Sequence, residues 1–274
     1  MSEPTNNFFI GWSEDTPAGY VAATRKFVLL ALLFGVLAAS LFVLSQRPFS
    51  DSVFEFGKTT VIEGYLTKKP YPILSVKYGK NKEVTQELLL VGFGKMGALP
   101  ALSAIENQTG SDLEGQRVKL AGTLIYYKGK TILELAEGAA AFQGYVEPMP
   151  SVPASTPKIM PTLPVQLFGE IVDPKCFFGV MKPATGKIHK SCAARCISGG
   201  IPPVFAAQNG GFFLLVDENG NPIKEKILPY VDDYLKVEGR VAAGADWRYL
   251  YLDTEDICRI APKALFKDMP LCAG

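Results

Sequence analysis

The sequence predicts a mainly β protein in which two tandem five-stranded barrels follow one N-terminal transmembrane helix. Three observations lead to this fold class. One stretch near the N-terminus is apolar and uncharged, many short apolar segments bounded by turns follow it, and those segments recur in similar order on both sides of a proline-rich segment. The 26 glycines and 20 prolines among the 274 residues suit short strands and many turns better than long helices.

The uncharged stretch, Phe27 to Ser45, is the predicted membrane anchor. As a helix it rises roughly 28 Å, which is close to the hydrocarbon thickness of about 30 Å. A cleaved signal peptide is the alternative interpretation, but its apolar region is only about 7–15 residues long and follows a short charged leader. We therefore predict a retained anchor at residues 27–46, preceded by a cytoplasmic tail at residues 1–26.

The charges beside the anchor predict its orientation. Arg25 and Lys26 directly precede the apolar stretch, and Arg47 follows it. The positive-inside tendency then favours a cytoplasmic N-terminus, with the bulk of a single-pass inner (plasma) membrane protein on the periplasmic or extracytoplasmic side. The presence of five cysteines agrees with this orientation, because disulfides persist outside the cytosol.

Two copies of one strand pattern follow the anchor. Each first strand contains an internal glycine, which lets the strand coil sharply, and the later strands close the sheet. In the first copy the predicted strands cover residues 60–66, 73–78, 87–92, 117–127 and 131–135, with a helix over residues 99–107. In the second copy the matching segments are residues 166–172, 211–216, 234–241 and 250–257. The repeat predicts OB-like barrels at residues 57–144 and 165–274.

The segment between the barrels, residues 145–164, is a predicted linker. It holds six prolines in twenty residues. Such a composition favours extended polyproline-like geometry and acts as a semi-rigid spacer. Because a spacer of this kind buries little surface, we expect the two barrels to fold independently.

Three of the five cysteines and the only histidine lie close together in the second barrel. In a helix over residues 187–197, His189, Cys192 and Cys196 follow the spacing i, i+3 and i+7, which places them on one helical face. Cys176 lies just beyond the end of the first strand of this barrel. A strand end and a helix face are therefore predicted to bring these four side chains into one site.

Two chemistries suit this set of side chains. Three thiolates and one imidazole form the tetrahedral ligand set that zinc prefers, and copper(I) binds with fewer soft ligands. In the alternative, Cys176 forms a disulfide with Cys192 or Cys196, and unpaired or redox-active thiols are a third interpretation. A bond between Cys192 and Cys196 is disfavoured, because Cβ atoms one helical turn apart are separated by about 5–6 Å, whereas a disulfide needs roughly 3.5–4.5 Å. Cys258 and Cys272 are predicted to pair and to tie down the C-terminal tail.

The second barrel resembles a group of small secreted bacterial OB-like domains of unknown function. The pattern that carries the resemblance is Gly…Asp-x-x-Cys…His-x-x-Cys-x-x-x-Cys-x-x-Gly. Its positions in this chain are Gly169, Asp173, Cys176, His189, Cys192, Cys196 and Gly199. The resemblance implies a secreted OB-like domain and gives no reaction, and the first barrel lacks all the cysteines.

Composition excludes several classes of function. With 28 basic and 27 acidic residues the chain has no global field to attract nucleic acid, so no nucleic-acid partner is expected. A single histidine argues against most histidine-based hydrolases, and we predict no catalytic residue. The glycine-rich turn at residues 92–97 lacks the spacing of a phosphate-binding loop.

The main functional prediction is a membrane-anchored extracytoplasmic binding or assembly module. We expect it to be an accessory subunit of a membrane protein complex that handles redox chemistry or metal ions. The alternative is a thiol-redox or metal-delivery protein that uses Cys176, Cys192 and Cys196, since two cysteines could exchange partners. Zinc and copper are the candidate metals in either case.

Overall fold

The computed structural model describes residues 16, 18–46, 51–78, 84–146, 164–179 and 181–260. The chain divides into two units, Met1–Ser50 and Asp51–Gly274. In the first unit, helix α1 (Ala18–Ser45) has no buried residue and is long and apolar enough to span a membrane. The helix begins at Ala18 rather than at the predicted Phe27, because the small residues before Arg25 are also compatible with a helix.

The second unit contains two closed five-stranded barrels, which confirms the predicted fold class. In the first barrel β2, β3 and β4 pair in antiparallel order, β4 pairs with β6 in parallel, and β5 closes the sheet between β6 and β2. The short strands β1 and β7 both add to β5. The elements are β1 (Val53–Phe54), β2 (Thr60–Thr67), β3 (Ile73–Tyr78), β4 (Val84–Val91), α2 (Leu99–Thr109), β5 (Arg117–Tyr127), β6 (Lys130–Leu135) and β7 (Phe142–Tyr145).

The second barrel repeats this pairing with its helices in a different place. Its elements are β8 (Val165–Val172), α3 (Pro174–Phe178), α4 (Lys190–Ser198), β9 (Val204–Ala207), β10 (Phe212–Val216), β11 (Tyr234–Ala243), β12 (Arg248–Tyr251) and β13 (Ile257–Arg259). Strands β8, β9 and β10 form the meander, β10 and β12 run parallel, and β11 closes the barrel against β8. Helices α3 and α4 are inserted between the first two strands, whereas α2 of the first barrel lies between the third and fourth. The insertion is therefore what distinguishes the two copies, and it carries the cysteines.

Each barrel has its own apolar interior, and a third apolar cluster is shared between them. The shared cluster takes Tyr71, Ile73, Leu89, Val91, Ile125 and Ile132 from the first barrel. From the second barrel it takes Val172, Phe178, Cys196, Ile201, Val204, Phe212, Leu214, Val216, Ala242, Trp247, Tyr249 and Tyr251. Because Asp51–Gly274 is one compact unit with this shared cluster, separating the barrels would expose apolar surface to water. We therefore expect the barrels to unfold together, in contrast to the independent folding inferred from the linker.

Buried polar contacts also join the barrels. The hydroxyl of Tyr71 donates to the carbonyl of Leu215 and accepts from the backbone N–H of Ile223. Glu87 Oε2 accepts from the backbone N–H groups of Asp246 and Trp247, each at 2.9 Å. These contacts fix the facing surfaces in one register. The predicted linker at residues 145–164 lies outside the described residues except at its ends.

Candidate metal centre

The first cysteine of the cluster is presented by the short helix α3. Asp173 directly follows strand β8 and caps the helix, because its Oδ1 accepts from the backbone N–H of Lys175 at 2.9 Å. Pro174 occupies the first helical turn, where its missing N–H costs nothing. The helix ends at Phe178, so Cys176 lies in the middle of a single well-defined turn and is half-buried.

The other two cysteines belong to helix α4, which begins at Lys190 rather than at the predicted residue 187. The carbonyl of His189 accepts from the backbone N–H groups of Cys192 and Ala193 at 2.9 and 3.0 Å, and this starts the helix. Cys192 and Cys196 are therefore one turn apart on one face. Cys192 is half-buried and Cys196 is buried.

The structure brings the three predicted cysteines together. The sulfur atoms of Cys176, Cys192 and Cys196 all lie within 4.8 Å of one another. All three are free thiols within the described part of the chain. A hydrogen bond with Cys196, burial and the nearby carboxylate of Asp173 raise the pKa of the Cys176 thiol well above its usual range. These surroundings favour the protonated form of Cys176 over its thiolate.

His189 lies outside this group of three sulfurs. Its Nδ1 is 2.9 Å from Asp232 Oδ2, and both side chains are buried. Its Nε2 is buried and has no hydrogen-bond partner among the residues described. Burial lowers the pKa of His189 and raises the pKa of Asp232 to about 8. The sequence had predicted His189 as a fourth ligand, whereas in the structure its Nδ1 anchors the start of α4 to Asp232.

Asp232 was not found by sequence reasoning. It follows a short 3-10 turn and adopts a positive φ of 55°. Its backbone N–H donates to the carbonyl of Ile171 at 2.9 Å, which places it beside the end of β8. No periodicity or spacing in the sequence indicates this pairing with His189.

The first barrel contributes a lysine to the cluster. Lys95 lies in the glycine-rich turn after β4, and its Nζ is 3.5 Å from Cys192 Sγ. This hydrogen bond raises the pKa of the Lys95 ammonium. Lys95 therefore places a positive charge from the first barrel directly beside the sulfur of Cys192.

Two glycines permit this approach. The backbone N–H of Gly97 donates to the carbonyl of Gly199 at 3.0 Å, so the turn of the first barrel contacts the end of α4 directly. A Cβ at Gly97 would lie 2.1 Å from the carbonyl oxygen of Gly200, and one at Gly199 would lie 2.1 Å from that of Lys95. The glycine-rich turn is thus a surface that packs against α4.

A buried ion pair secures the same turn. Lys175 Nζ is 2.8 Å from Glu134 Oε1 and also donates to the carbonyls of Gly92 and Gly94 at 2.9 and 2.6 Å. The neighbour of Cys176 in α3 therefore holds the turn that carries Lys95. The cluster is assembled from both barrels.

The spacing of the sulfurs suits a metal ion. The three sulfurs are no more than 4.8 Å apart, so an ion placed at equal distance from them would lie about 2.8 Å or less from each sulfur. A zinc–sulfur bond is about 2.3 Å long. Small side-chain movements would therefore close the site around an ion. Three soft ligands match copper(I), and zinc would complete its tetrahedron with a fourth ligand from solvent or from another molecule.

The second predicted pair of cysteines lies elsewhere. Cys258 is half-buried in β13, which pairs with β11 at Lys236. Cys272 lies outside the described residues, so its pairing with Cys258 stays a prediction. No family model, curated protein or solved structure matches this chain.

Proposed function

We propose that this protein is a membrane-anchored metal-handling protein that binds copper(I) or zinc at Cys176, Cys192 and Cys196. In this proposal it serves as an accessory subunit of a membrane complex, with its two barrels on the extracytoplasmic side. The observation that carries the proposal is the convergence of three free thiols within 4.8 Å of one another. Such a set of soft donors is a metal-ligand arrangement that a structural role alone does not require.

The local structure supports reversible binding. Cys196 is fixed in the shared core, Cys192 lies one turn away on the same helix, and Cys176 is held by the capped helix α3. A metal ion must displace the proton that Cys176 retains, so binding releases protons and strengthens as the pH rises. A site with three protein ligands also keeps a position open, which is the arrangement that permits exchange.

Thiol exchange is a second candidate function, favoured by the hydrogen bond between Cys176 and Cys196. In this reaction one thiolate attacks the disulfide of a partner protein, and the second thiol then displaces the mixed disulfide. A Cys176–Cys196 disulfide forms, the partner leaves as a dithiol, and two electrons and two protons pass to the partner.

One experiment separates the two candidates. The full chain, purified without oxygen in an uncharged detergent, is titrated with copper(I) against a coloured chelator and separately with zinc. We expect one equivalent of metal, and an affinity loss of more than about tenfold when any of the three cysteines becomes serine. Ser191→Ala, an exposed neighbour on α4, is the matched control and should bind normally.

Intact mass measured in parallel completes the test. The predicted Cys258–Cys272 bridge already lowers the mass by two hydrogen atoms. A further loss of two hydrogen atoms, located among Cys176, Cys192 and Cys196 by peptide mapping and found with no stoichiometric metal, would select the thiol-exchange function. Three reduced thiols that bind neither metal would contradict the metal-handling proposal.

The proposed orientation needs a separate measurement. It is supported by Arg25 and Lys26 at the start of the apolar part of α1. A reporter that is active only outside the cytosol, fused after Gly274, should be active. Activity from a cytosolic reporter alone would reverse the orientation and place the thiols in a reducing compartment.

A further inference from the structure

The two sequence segments that form the thiol cluster and the turn beside it carry positive charges and no negative ones. Residues 174–216 contain five Lys or Arg and no Asp or Glu, and residues 88–105 contain Lys95 and no acidic residue. Lys175 and Lys190 are paired with Glu134 and Asp233. Lys182 is half-buried and donates to the carbonyl of Phe177, and the other cations are exposed without an ion pair in the described part of the chain. They include Lys95, Lys187 and Arg195.

Apolar side chains are exposed among these cations. Phe93 and Met96 flank Lys95 in the turn after β4, and they are 60% and 48% exposed. Ile188 is 78% exposed and lies in the turn that directly precedes helix α4. Arg195 follows Cys192 by three residues, so it lies on a neighbouring part of the helix surface. Exposed apolar groups placed among charges of one sign are typical of a surface that contacts another protein.

This surface is also the accessible side of the thiol cluster. Cys196 is only 2% exposed, whereas Cys192 is half-buried and contacts the exposed Lys95. Cys176 is half-buried as well, but the sulfur of Cys192 is the one that contacts Lys95, so a carrier docked on this surface meets Cys192 first. The positive charges around this sulfur repel a free metal cation and attract an anionic carrier.

We propose that the surface formed by Phe93, Lys95, Met96, Lys187, Ile188 and Arg195 docks an acidic metal-carrying protein that exchanges its ion with Cys192. The proposal rests on the metal-handling function proposed above. In the exchange a sulfur–metal bond of the carrier breaks as the Cys192 sulfur–metal bond forms. The proton of Cys192 passes to the released thiolate of the carrier, and the oxidation state of the metal does not change.

The test uses a pair of synthetic peptides as carriers. Each holds copper(I) in a Cys-x-x-Cys site, and the site is flanked by glutamates in one peptide and by glutamines in the other. Stopped-flow measurements follow copper transfer to the full chain in uncharged detergent. At low salt we expect transfer from the glutamate peptide to be about tenfold faster, and we expect added salt to remove the difference.

Variants locate the effect on the surface. In the Lys187→Gln/Arg195→Gln double variant the rate advantage of the glutamate peptide should fall towards one, while the equilibrium affinity for copper(I) stays unchanged. Arg248→Gln removes an exposed cation of β12 and is the matched control, so it should keep the full advantage. Ile188→Ser should slow transfer from both peptides, because it removes apolar contact area without changing the charge.

The outcomes distinguish this proposal from the one on which it rests. If the chain binds no metal, the proposed function fails. If it binds copper(I) but takes it equally fast from both peptides, only the docking proposal fails. A second assay compares the rate of Cys192 alkylation in the presence of the glutamate peptide with the rate in vesicles that contain anionic phospholipid. The docking proposal also fails if the phospholipid slows alkylation and the peptide does not. The surface would then contact the membrane.

Discussion

Alanine at Gly97 should loosen the junction between the two barrels. The new Cβ would lie 2.1 Å from the carbonyl oxygen of Gly200 and 2.5 Å from its carbonyl carbon. Both atoms belong to the backbone, so no side-chain rotation can relieve the contact. The turn must move away by more than an ångström, and the hydrogen bond from Gly97 to Gly199 is lost.

The expected cost can be worked out from these contacts. Loss of one backbone hydrogen bond costs about 1 kcal/mol, and overpacking of this kind costs about 1–3 kcal/mol. The sum of about 2–4 kcal/mol corresponds to a fall in Tm of roughly 5–15 °C for a unit of this size. Thermal unfolding of the full chain in detergent measures the fall. Alkylation of Cys192 should become faster in the same variant, because Lys95 moves away with the turn.

Gly94→Ala is the matched control in the same turn. Gly94 has a positive φ of 66°, but a Cβ there meets nothing within 4 Å in the described structure. Alanine at this position carries only the backbone cost of about 1–2 kcal/mol and should leave Cys192 as protected as before. Equal effects of the two substitutions on Tm and on alkylation would refute the reasoning.

Three further predictions concern other buried groups. Lys175→Met should destabilise the folded state by about 3–5 kcal/mol because it leaves Glu134 buried without its cation, and adding Glu134→Leu should recover part of this loss in denaturant unfolding. Tyr71→Phe should cost about 1–3 kcal/mol by unpairing the Leu215 carbonyl, and both barrels should still unfold in one transition; two separate transitions in the wild-type chain would contradict a shared core. Because the pKa of Asp232 is raised from 3.8 to about 8, the folded state binds more protons than the unfolded state between these values, so this group makes stability fall as pH rises towards 8. The lowered pKa of His189 makes stability rise with pH, but only below the ordinary histidine pKa of 6.5. The fall in stability with pH should therefore be clearest between pH 6.5 and 8. Asp232→Asn should reduce the slope of this fall.

Local sequence pattern predicted the strands because their signals are short-range. The run from Arg117 to Tyr127 coincides with β5, and the helix expected over residues 99–107 is observed as α2, which ends where Gly110 adopts a left-handed conformation. Period-two alternation and turn residues act within a few positions, so they can be read directly from the chain. The convergence of the three cysteines could also be predicted from the sequence, because the helix spacing and the end of the preceding strand limited where they could lie.

The contacts between the barrels could not be obtained in this way. Lys95 and Cys192 are separated by 97 positions in the sequence, and Tyr71 and Leu215 by 144. No periodicity links residues so far apart. The proline-rich linker suggested independent barrels. The composition of a linker indicates its stiffness, but it does not indicate how much apolar surface the two barrels bury against each other. The contact between His189 and Asp232 could not be predicted for a related reason, since Asp232 lies on a segment with no pattern of its own.

The cluster's dependence on both barrels has a consequence for biosynthesis. The first barrel leaves the ribosome before the second, so the turn with Lys95 and the carboxylate of Glu134 can already be in place when the cysteines emerge. Until α3 and α4 dock on that preformed surface, the three thiols lack their cover and are open to oxidants. Docking of the second barrel is therefore the step that decides whether the nascent chain matures with three thiols or is trapped with a wrong cross-link.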